Sequence, residues 1–294
     1  METLIQLVVT GVMVGSIYAL VALGWTIIYK CSGVLNLAMG ELTLIGAYVC
    51  LQLYLWGVPF PLAVAGTLVV GFVLGLVVER LALRPMIGQP ILSIIMITVG
   101  LAFLFRALVG FIWGTDTRVF EPRVFPMDPI RLGPIVVGQV FLWSFAAALV
   151  LLVAFVAFFQ YSRWGLMMQA TADDEMAALS VGISARRVYA LAWALAFMAA
   201  GVGGTLLGNI NGLNVSVGFL GILVLPAVVL GGLNSIPGAI IGGIIIGVLQ
   251  NLSGGYLDRL VPGGVKDIAP FVFMVVILMF RPYGLWGWEK IERV

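Results

Sequence analysis

"LIQLVVTGVMVGSIYALVALGWTII", residues 4–28, contains no charged residue. A helix needs roughly 20 consecutive apolar residues to cross the hydrocarbon core of a bilayer. This run is long enough, and it decides the fold: the chain begins with a membrane-spanning helix. The residues ahead of it supply no basic start, and the run is too long for the apolar region of a secretory signal, so it is read as a retained first span.

The same reading extends outward along the chain. Further spans are expected at 34–56, 58–78, 91–113, 134–160 and 188–210, then in two Gly-rich segments at 217–232 and 236–252, and finally near 268–281. The stretch "GGLNSIPGAIIGG", 231–243, interrupts the helical pattern with Pro237 and several Gly, Asn and Ser residues. It fits either a tight turn between two short spans or the tip of a re-entrant hairpin. The expected fold is all-α: a polytopic transmembrane helical bundle of about eight or nine membrane segments, including broken or re-entrant Gly-rich helices, forming a single transmembrane domain over 1–294.

Composition agrees. Hydrophobic residues make up 62% of the 294 positions, charged residues 10%, and the mean hydropathy is +1.17. Soluble domains carry about 25% charged residues, so this chain could not cover a water-facing surface. A net charge of +2 without a basic run gives no footing for nucleic acid. The absence of His removes His-based acid–base chemistry and most zinc sites, and no metal or other cofactor is expected. Cys31 and Cys50 lie in or beside apolar segments and read as buried small hydrophobes rather than a disulfide.

Basic residues set the expected orientation. If the N-terminus lies outside, the inner loops hold nine: Lys30, Arg80, Arg84, Arg163, Arg186, Arg187, Arg281, Lys290 and Arg293. The outer loops hold five: Arg118, Arg123, Arg131, Arg259 and Lys266. The excess favours an outward N-terminus and a cytoplasmic C-terminus. Many of the 37 glycines fall four apart, as at Gly11/Gly15, Gly71/Gly75, Gly204/Gly208/Gly212, Gly238/Gly242 and Gly243/Gly247. In lipid, small residues let helix backbones approach closely, so these are read chiefly as helix-packing faces.

One segment breaks the apolar pattern. "GLMMQATADDEMAALSVGISARR", 165–187, gathers Asp173, Asp174 and Glu175 ahead of an Ala-rich run and closes on Arg186 and Arg187. Such acids do not sit cheaply in hydrocarbon, and the stretch from Asp173 to Val181 is too short to span. It reads as a short cytoplasmic helix, capped by Thr171 or Asp173, acidic at its N-terminal end and stopped by Gly182. Either it is a solvated connector or it docks in the groove of a soluble partner. A partner would explain two absences. The chain has no GxxxxGK[ST] phosphate loop, and Glu41 and Arg106 are the few ionisable candidates within its spans. A stand-alone carrier using Glu41 for proton coupling is the alternative.

At this point a resemblance enters. "GSIYALVALGWTIIY" at 15–29, "GVLNLAMGELTLIGAY" at 33–48, "ERLALRP" at 79–85, the segment at 165–183, "VVLGGLNSIPGAIIGGIIIGVLQ" at 228–250 and "FRPYGLWG" at 280–287 occur in order and at matching spacing. Together they resemble the permease subunit of high-affinity branched-chain amino acid ABC importers, nearly end to end. Met39 stands where the family usually has His, and Gln169-Ala170 where it usually has Arg-Ala. The resemblance implies a subunit of the bacterial inner membrane that performs no covalent chemistry. Its implied partners are two cytoplasmic ABC ATPases, a second paralogous permease, a periplasmic or extracellular solute-binding protein, membrane lipid and a small-molecule solute. It also implies that Gly165, Gln169, Ala170, Asp173, Asp174, Glu175, Ala178 and Gly182 couple the permease to the ATPases.

Translocation-pathway residues are expected where non-helical backbone or rare polar groups enter the spans: Asn36, Gly40 and Glu41, and Gly231, Gly232, Pro237 and Gly238. For Asn36 and Glu41 an interfacial turn on the cytoplasmic side is an equal alternative. Arg106 lies seven residues before Trp113 and is expected to snorkel toward the outer interface.

Overall fold

The computed structural model describes residues 2–287 except 127, 134 and 259–263. Arg259, Lys290 and Arg293, three of the residues used to orient the chain, lie outside the described residues. The helices are α1 (Glu2–Ser32), α2 (Met39–Leu55), α3 (Phe60–Val78), α4 (Ile91–Trp113), α5 (Gln139–Tyr161), α6 (Arg163–Asp173), α7 (Glu175–Ser180), α8 (Ala185–Asn211), α9 (Leu220–Gly231), α10 (Ile236–Tyr256) and α11 (Val265–Phe280). Among the described residues six helices are long and apolar enough to cross a membrane: α1, α3 with its continuation to Met86, α4, α5, α8 and α10. Two shorter apolar stretches, Met39–Leu55 and Val215–Gly231, accompany them.

Two expected boundaries move, and one open alternative is decided. The second span starts five residues late, because 33–38 is non-helical. The fifth starts at Gln139, because Ile135–Gly138 (β2) pairs antiparallel with Pro129–Leu132 (β1), in a register running from Pro129 opposite Gly138 to Leu132 opposite Ile135. This hairpin is a small β addition to a fold read as all-α. The Gly-rich stretch at 231–243 forms a tight turn: residues 232–235 join α9 to α10.

Glycine decides where the helices touch. A Cβ on Gly11 or Gly15 would run into the α10 backbone at Val248 or Ile244, and one on Gly243 into Ala19. Gly71 and Gly75 stand in the same way against Met198 and Ala194 of α8, and Gly204 against Thr43 of α2. With little hydrophobic drive between helices in lipid, backbone contact of this kind supplies the packing. The result is a bundle with α1 and α8 at its centre: 83% of the most apolar window of α8 is buried, against 11% for α4 at the edge. Trp25, Trp193 and Tyr48 are among the largest side chains sealed inside. Cys31 and Cys50 are buried free thiols, as expected.

Polar contacts are few and specific. The Tyr18 hydroxyl donates to Gln250 Oε1, and Gln250 Nε2 donates to Asp267 Oδ1 at 3.2 Å, tying α1, α10 and α11 together. Residues 281–287 fold back onto the end of α9, where the amides of Leu285 and Trp286 donate to the carbonyls of Leu230 (2.8 Å) and Gly231 (3.2 Å).

Candidate functional site

The first group of candidates sits where two helices begin inside the bundle. Gly33, at φ +67°, donates its N–H to Tyr29 O at 2.8 Å and ends α1. The chain then runs non-helically until Asn36 Oδ1 accepts the Ala38 N–H at 3.1 Å and Met39 N–H reaches Asn36 O at 3.2 Å, a local turn that launches α2. Backbone freed by the break needs partners inside a membrane. Thr98 of α4 provides one: its hydroxyl accepts the Leu37 N–H at 3.3 Å. Asn36 and Thr98 are both buried.

Directly beside the start of α2 lies the start of α9, preceded by the 3-10 turn Val215–Phe219. The two meet through glycine. A Cβ on Gly40 would strike the carbonyl of Gly218 and reach within 3.0 Å of Gly221 N, and a Cβ on Gly221 would strike the backbone of Gly40. On Gly218 it would come within 2.6–2.9 Å of the Glu41 carboxylate. Glu41 is buried and ion-paired with Arg106: Nε donates to Oε1 at 3.0 Å, and Nη2 donates to the same oxygen. The guanidinium lies 5.0 Å from the centroid of the Phe219 ring.

This arrangement corrects the reading of Arg106. The side chain turns inward to Glu41 rather than out toward Trp113, because an acid on the neighbouring helix satisfies it better than the distant interface does. Asn36 and Glu41 are both buried within the protein. Gly218, Phe219 and Thr98 are functional candidates that sequence reasoning missed, and it named Arg106 as an ionisable residue without pairing it to Glu41. One signal was available: Glu41 and Arg106 are opposite charges within separate apolar runs.

The other four pathway candidates belong elsewhere. Gly231 and Gly238 press their backbones together across the α9–α10 turn, Gly232 takes φ +100°, and Ser235 Oγ caps α10 by accepting the Gly238 N–H at 3.1 Å. Pro237 is exposed in the first turn of α10. This turn lies at the far end of α9 from Glu41, a separation of about 18 Å along 12 helical residues. It shares a cavity with Tyr29 at the C-terminal end of α1. The structure therefore does not bring the two groups together.

The segment at 165–187 is two helices rather than one. Ser162 Oγ caps α6 by accepting the Gly165 N–H at 2.8 Å, and the Asp174 carboxylate caps α7 by accepting the Ala177 N–H at 2.9 Å. Neither expected cap is used. Thr171 donates back to Met167 O at 2.9 Å, and Asp173 is the last residue of α6. Gly182, at φ +86°, does terminate α7.

Roles within the segment also divide. A Cβ on Gly165 would collide with the carbonyls of Phe158 and Phe159, and Gln169 Nε2 donates to Phe159 O at 2.7 Å. These two residues fasten α6 to α5, with Ala170 half-buried beside them. Ala178 is buried too, at 4% exposure. Outward go Asp173, Asp174, Glu175 and Gly182, together with Met176, Leu179 and Val181. Met176 and Val181 are 76% and 75% exposed, so the tip is an uncovered apolar knob ringed by acids. Next to it is a cavity of about 680 Å³ lined by Tyr29, Lys30, Asp173, Glu175, Tyr189 and Asn234.

With this geometry in place, similarity to known proteins becomes informative. Residues 7–280 match the family described as branched-chain amino acid transport system, permease component. The chain is 33% identical to the high-affinity branched-chain amino acid transport system permease protein LivH of Escherichia coli (strain K12), over 99% of this chain and 97% of that one. It is 29% identical to the permease protein BraD of Pseudomonas aeruginosa, named for the same transport, over 99% and 98%. A second permease protein of the E. coli strain, LivM, is 28% identical over 92% of this chain and 67% of its own length.

Proposed function

The chain belongs to the permease components of branched-chain amino acid transport systems, and from that premise we propose that it is the membrane subunit through which an ATP-driven importer passes branched-chain amino acids or related small solutes into the cytoplasm. The observation that carries this reading is the extent of the match. It runs from residue 7 to 280 and takes in the α1–α2 break, Glu41, α6–α7 and the α9–α10 turn as one unit.

The whole chain acts as one transmembrane domain, and hydrolysis occurs on separate subunits. Two cytoplasmic ATPases dock on the coupling helices of the two permeases; in this chain that helix is α7, where exposed Met176, Leu179 and Val181 offer an apolar contact and Asp173, Asp174 and Glu175 offer charge. Movement of α7 reaches the bundle by two routes. One is the Ile183 N–H to Ala178 O bond (3.0 Å) into α8, and the other is the Gln169 anchor of α6 on α5. Gly165, Ala170 and Ala178 transmit the motion by close packing. A second permease completes the pathway, in keeping with two related permeases in one E. coli strain. A periplasmic or extracellular binding protein delivers the solute.

Asn36, Gly40 and Glu41 line the pathway within the membrane, while Gly231, Gly232, Pro237 and Gly238 form its cytoplasmic joint. Orientation follows the described basic residues. Lys30, Arg80, Arg84, Arg163, Arg186, Arg187 and Arg281 belong to the α7 end, which supports a cytoplasmic α7 and an outer N-terminus in a bacterial inner membrane.

The test is reconstitution of the full set of subunits in proteoliposomes. Accumulation of radiolabelled leucine should require ATP and the binding protein together. Accumulation by this chain alone, driven by a pH gradient, would instead establish the proton-coupled carrier; the engagement of Glu41 by Arg106 argues against that, because the carboxylate is already committed to a fixed partner.

A further inference from the structure

We infer that Arg106 is the receptor for the solute's α-carboxylate, held in place by Glu41 and Phe219; the inference rests on the importer reading above and adds to it the residue that recognises the charged end of the amino acid. A guanidinium binds a carboxylate best through two parallel N–H groups on one edge. In Arg106 the Nε–Nη2 edge is turned to a single oxygen, Glu41 Oε1. The outer Nη1–Nη2 edge has no partner among the described residues. Phe219 lies beside the guanidinium, its ring centroid 5.0 Å from the guanidinium carbon. The group is thus held on one edge by Glu41 with an aromatic ring beside it, and a bidentate edge is still to offer.

Exposure points the same way. The Arg106 side chain is 34% exposed while that of Glu41 is 6% exposed, so the pair has a sealed side and an open side, and the cation is on the open one. The open side is otherwise apolar, with Phe103 one helical turn away at 70% exposure and Phe219 at 50%. An arginine cannot present its free edge to lipid without cost, so this surface faces water or another polypeptide. A branched-chain amino acid matches both parts of it: a carboxylate for the free edge and an aliphatic side chain for the aromatic surround. Gly40, Gly218 and Gly221 add the close backbone approach that holds α2 and α9 around the pair.

A carboxylate on Arg106 could come from the solute or from an acidic side chain of the second permease, and the experiment separates the two. The assembled transporter, without binding protein and without nucleotide, is titrated with leucine and with leucinol, which lacks the carboxylate. Wild type is expected to bind leucine at least about tenfold more tightly, and R106Q to bind both alike, with leucine weakened about 10- to 100-fold. R106K keeps the charge but not the fork and should fall between them. Should R106Q fail to assemble because Glu41 is left buried and unpaired, the neutral pair E41Q/R106Q provides the same comparison in an assembled complex.

A preference for leucine that survives in R106Q or in E41Q/R106Q would overturn the assignment, as would a wild-type complex that does not discriminate. Loss of the second permease from R106Q preparations, with discrimination intact in E41Q/R106Q, would assign Arg106 to a partner's carboxylate instead. ATP-driven leucine uptake by the wild-type complex is a separate measurement, so the importer reading and this one can fail independently.

Discussion

Thr98 is a small residue with a large obligation. Its hydroxyl accepts the Leu37 N–H and donates to Ile95 O at 2.8 Å, so it joins the helix it belongs to with the gap between α1 and α2. Thr98→Val keeps the shape and removes the acceptor, leaving the part-buried Leu37 N–H without its partner. That costs about 1–3 kcal/mol. The expected result is a lower midpoint of thermal unfolding in detergent, with Thr98→Ser close to wild type. Gly218 carries a steric obligation of the same kind. The Cβ of Gly218→Ala would press on the Glu41 carboxylate, a group pinned by Arg106 and unable to swing aside freely. Leucine uptake should drop by about an order of magnitude or more, the scale on which small displacements cost rate, while Gly100→Ala, within α4 where a Cβ meets open space, should leave uptake near wild type. Uptake equal to wild type in Gly218→Ala would mean that α2 and α9 need not approach so closely.

At the scale of the element, α7 separates docking from support. Met176 and Leu179 are exposed on a helix of six residues, whereas Ala178 between them is buried. A bulky residue at Ala178 therefore tests local packing as much as docking. Met176→Asp combined with Leu179→Asp is the cleaner probe: it adds charge to an apolar knob without filling buried space. Co-purification of the ATPases should fall by about 30-fold or more, on the premise that the two apolar anchors contribute about 1–2 kcal/mol each and that 1.4 kcal/mol is about tenfold, while the permease keeps its unfolding midpoint. Retained ATPase binding would exclude α7 as the grip. Much of this element was legible, since acids at 173–175, an Ala-rich run and a terminal Gly define a short polar helix in any apolar context. Its internal break at Asp174 was not, because three neighbouring acids and a threonine compete as caps and only tertiary packing against α5 and α8 chooses among them. The Arg106–Glu41 pair was hidden for a related reason. Helical spacing tells how deep a residue lies along its own helix and nothing about which other helix faces it.

Over the whole molecule, charge and glycine act at different levels. Apolar run length marked out nearly every helix, and the four-residue glycine spacing foretold close contacts, but the partner of each glycine face emerged only from the assembled bundle. Gly11 and Gly15 meet α10, Gly71 and Gly75 meet α8, and nothing in their spacing distinguishes the two. Non-helical entries such as 33–38 shortened α2 because Gly33 and the Asn36 turn stop the helix while the apolar run continues. Orientation is the remaining property of the whole, and it admits a direct measurement. Cys31 and Cys50 are buried, so a maleimide carried by an impermeant group should not reach them in the folded protein. A cysteine placed at Val181, 75% exposed beside α7, or at Val119, 43% exposed in the loop after α4, reports one end each. Intact cells should label Val119→Cys and spare Val181→Cys, and opened membranes should label both. The reverse pattern would put α7 outside, beyond the reach of any cytoplasmic ATPase, and would break the link between ATP hydrolysis and this chain at its first step.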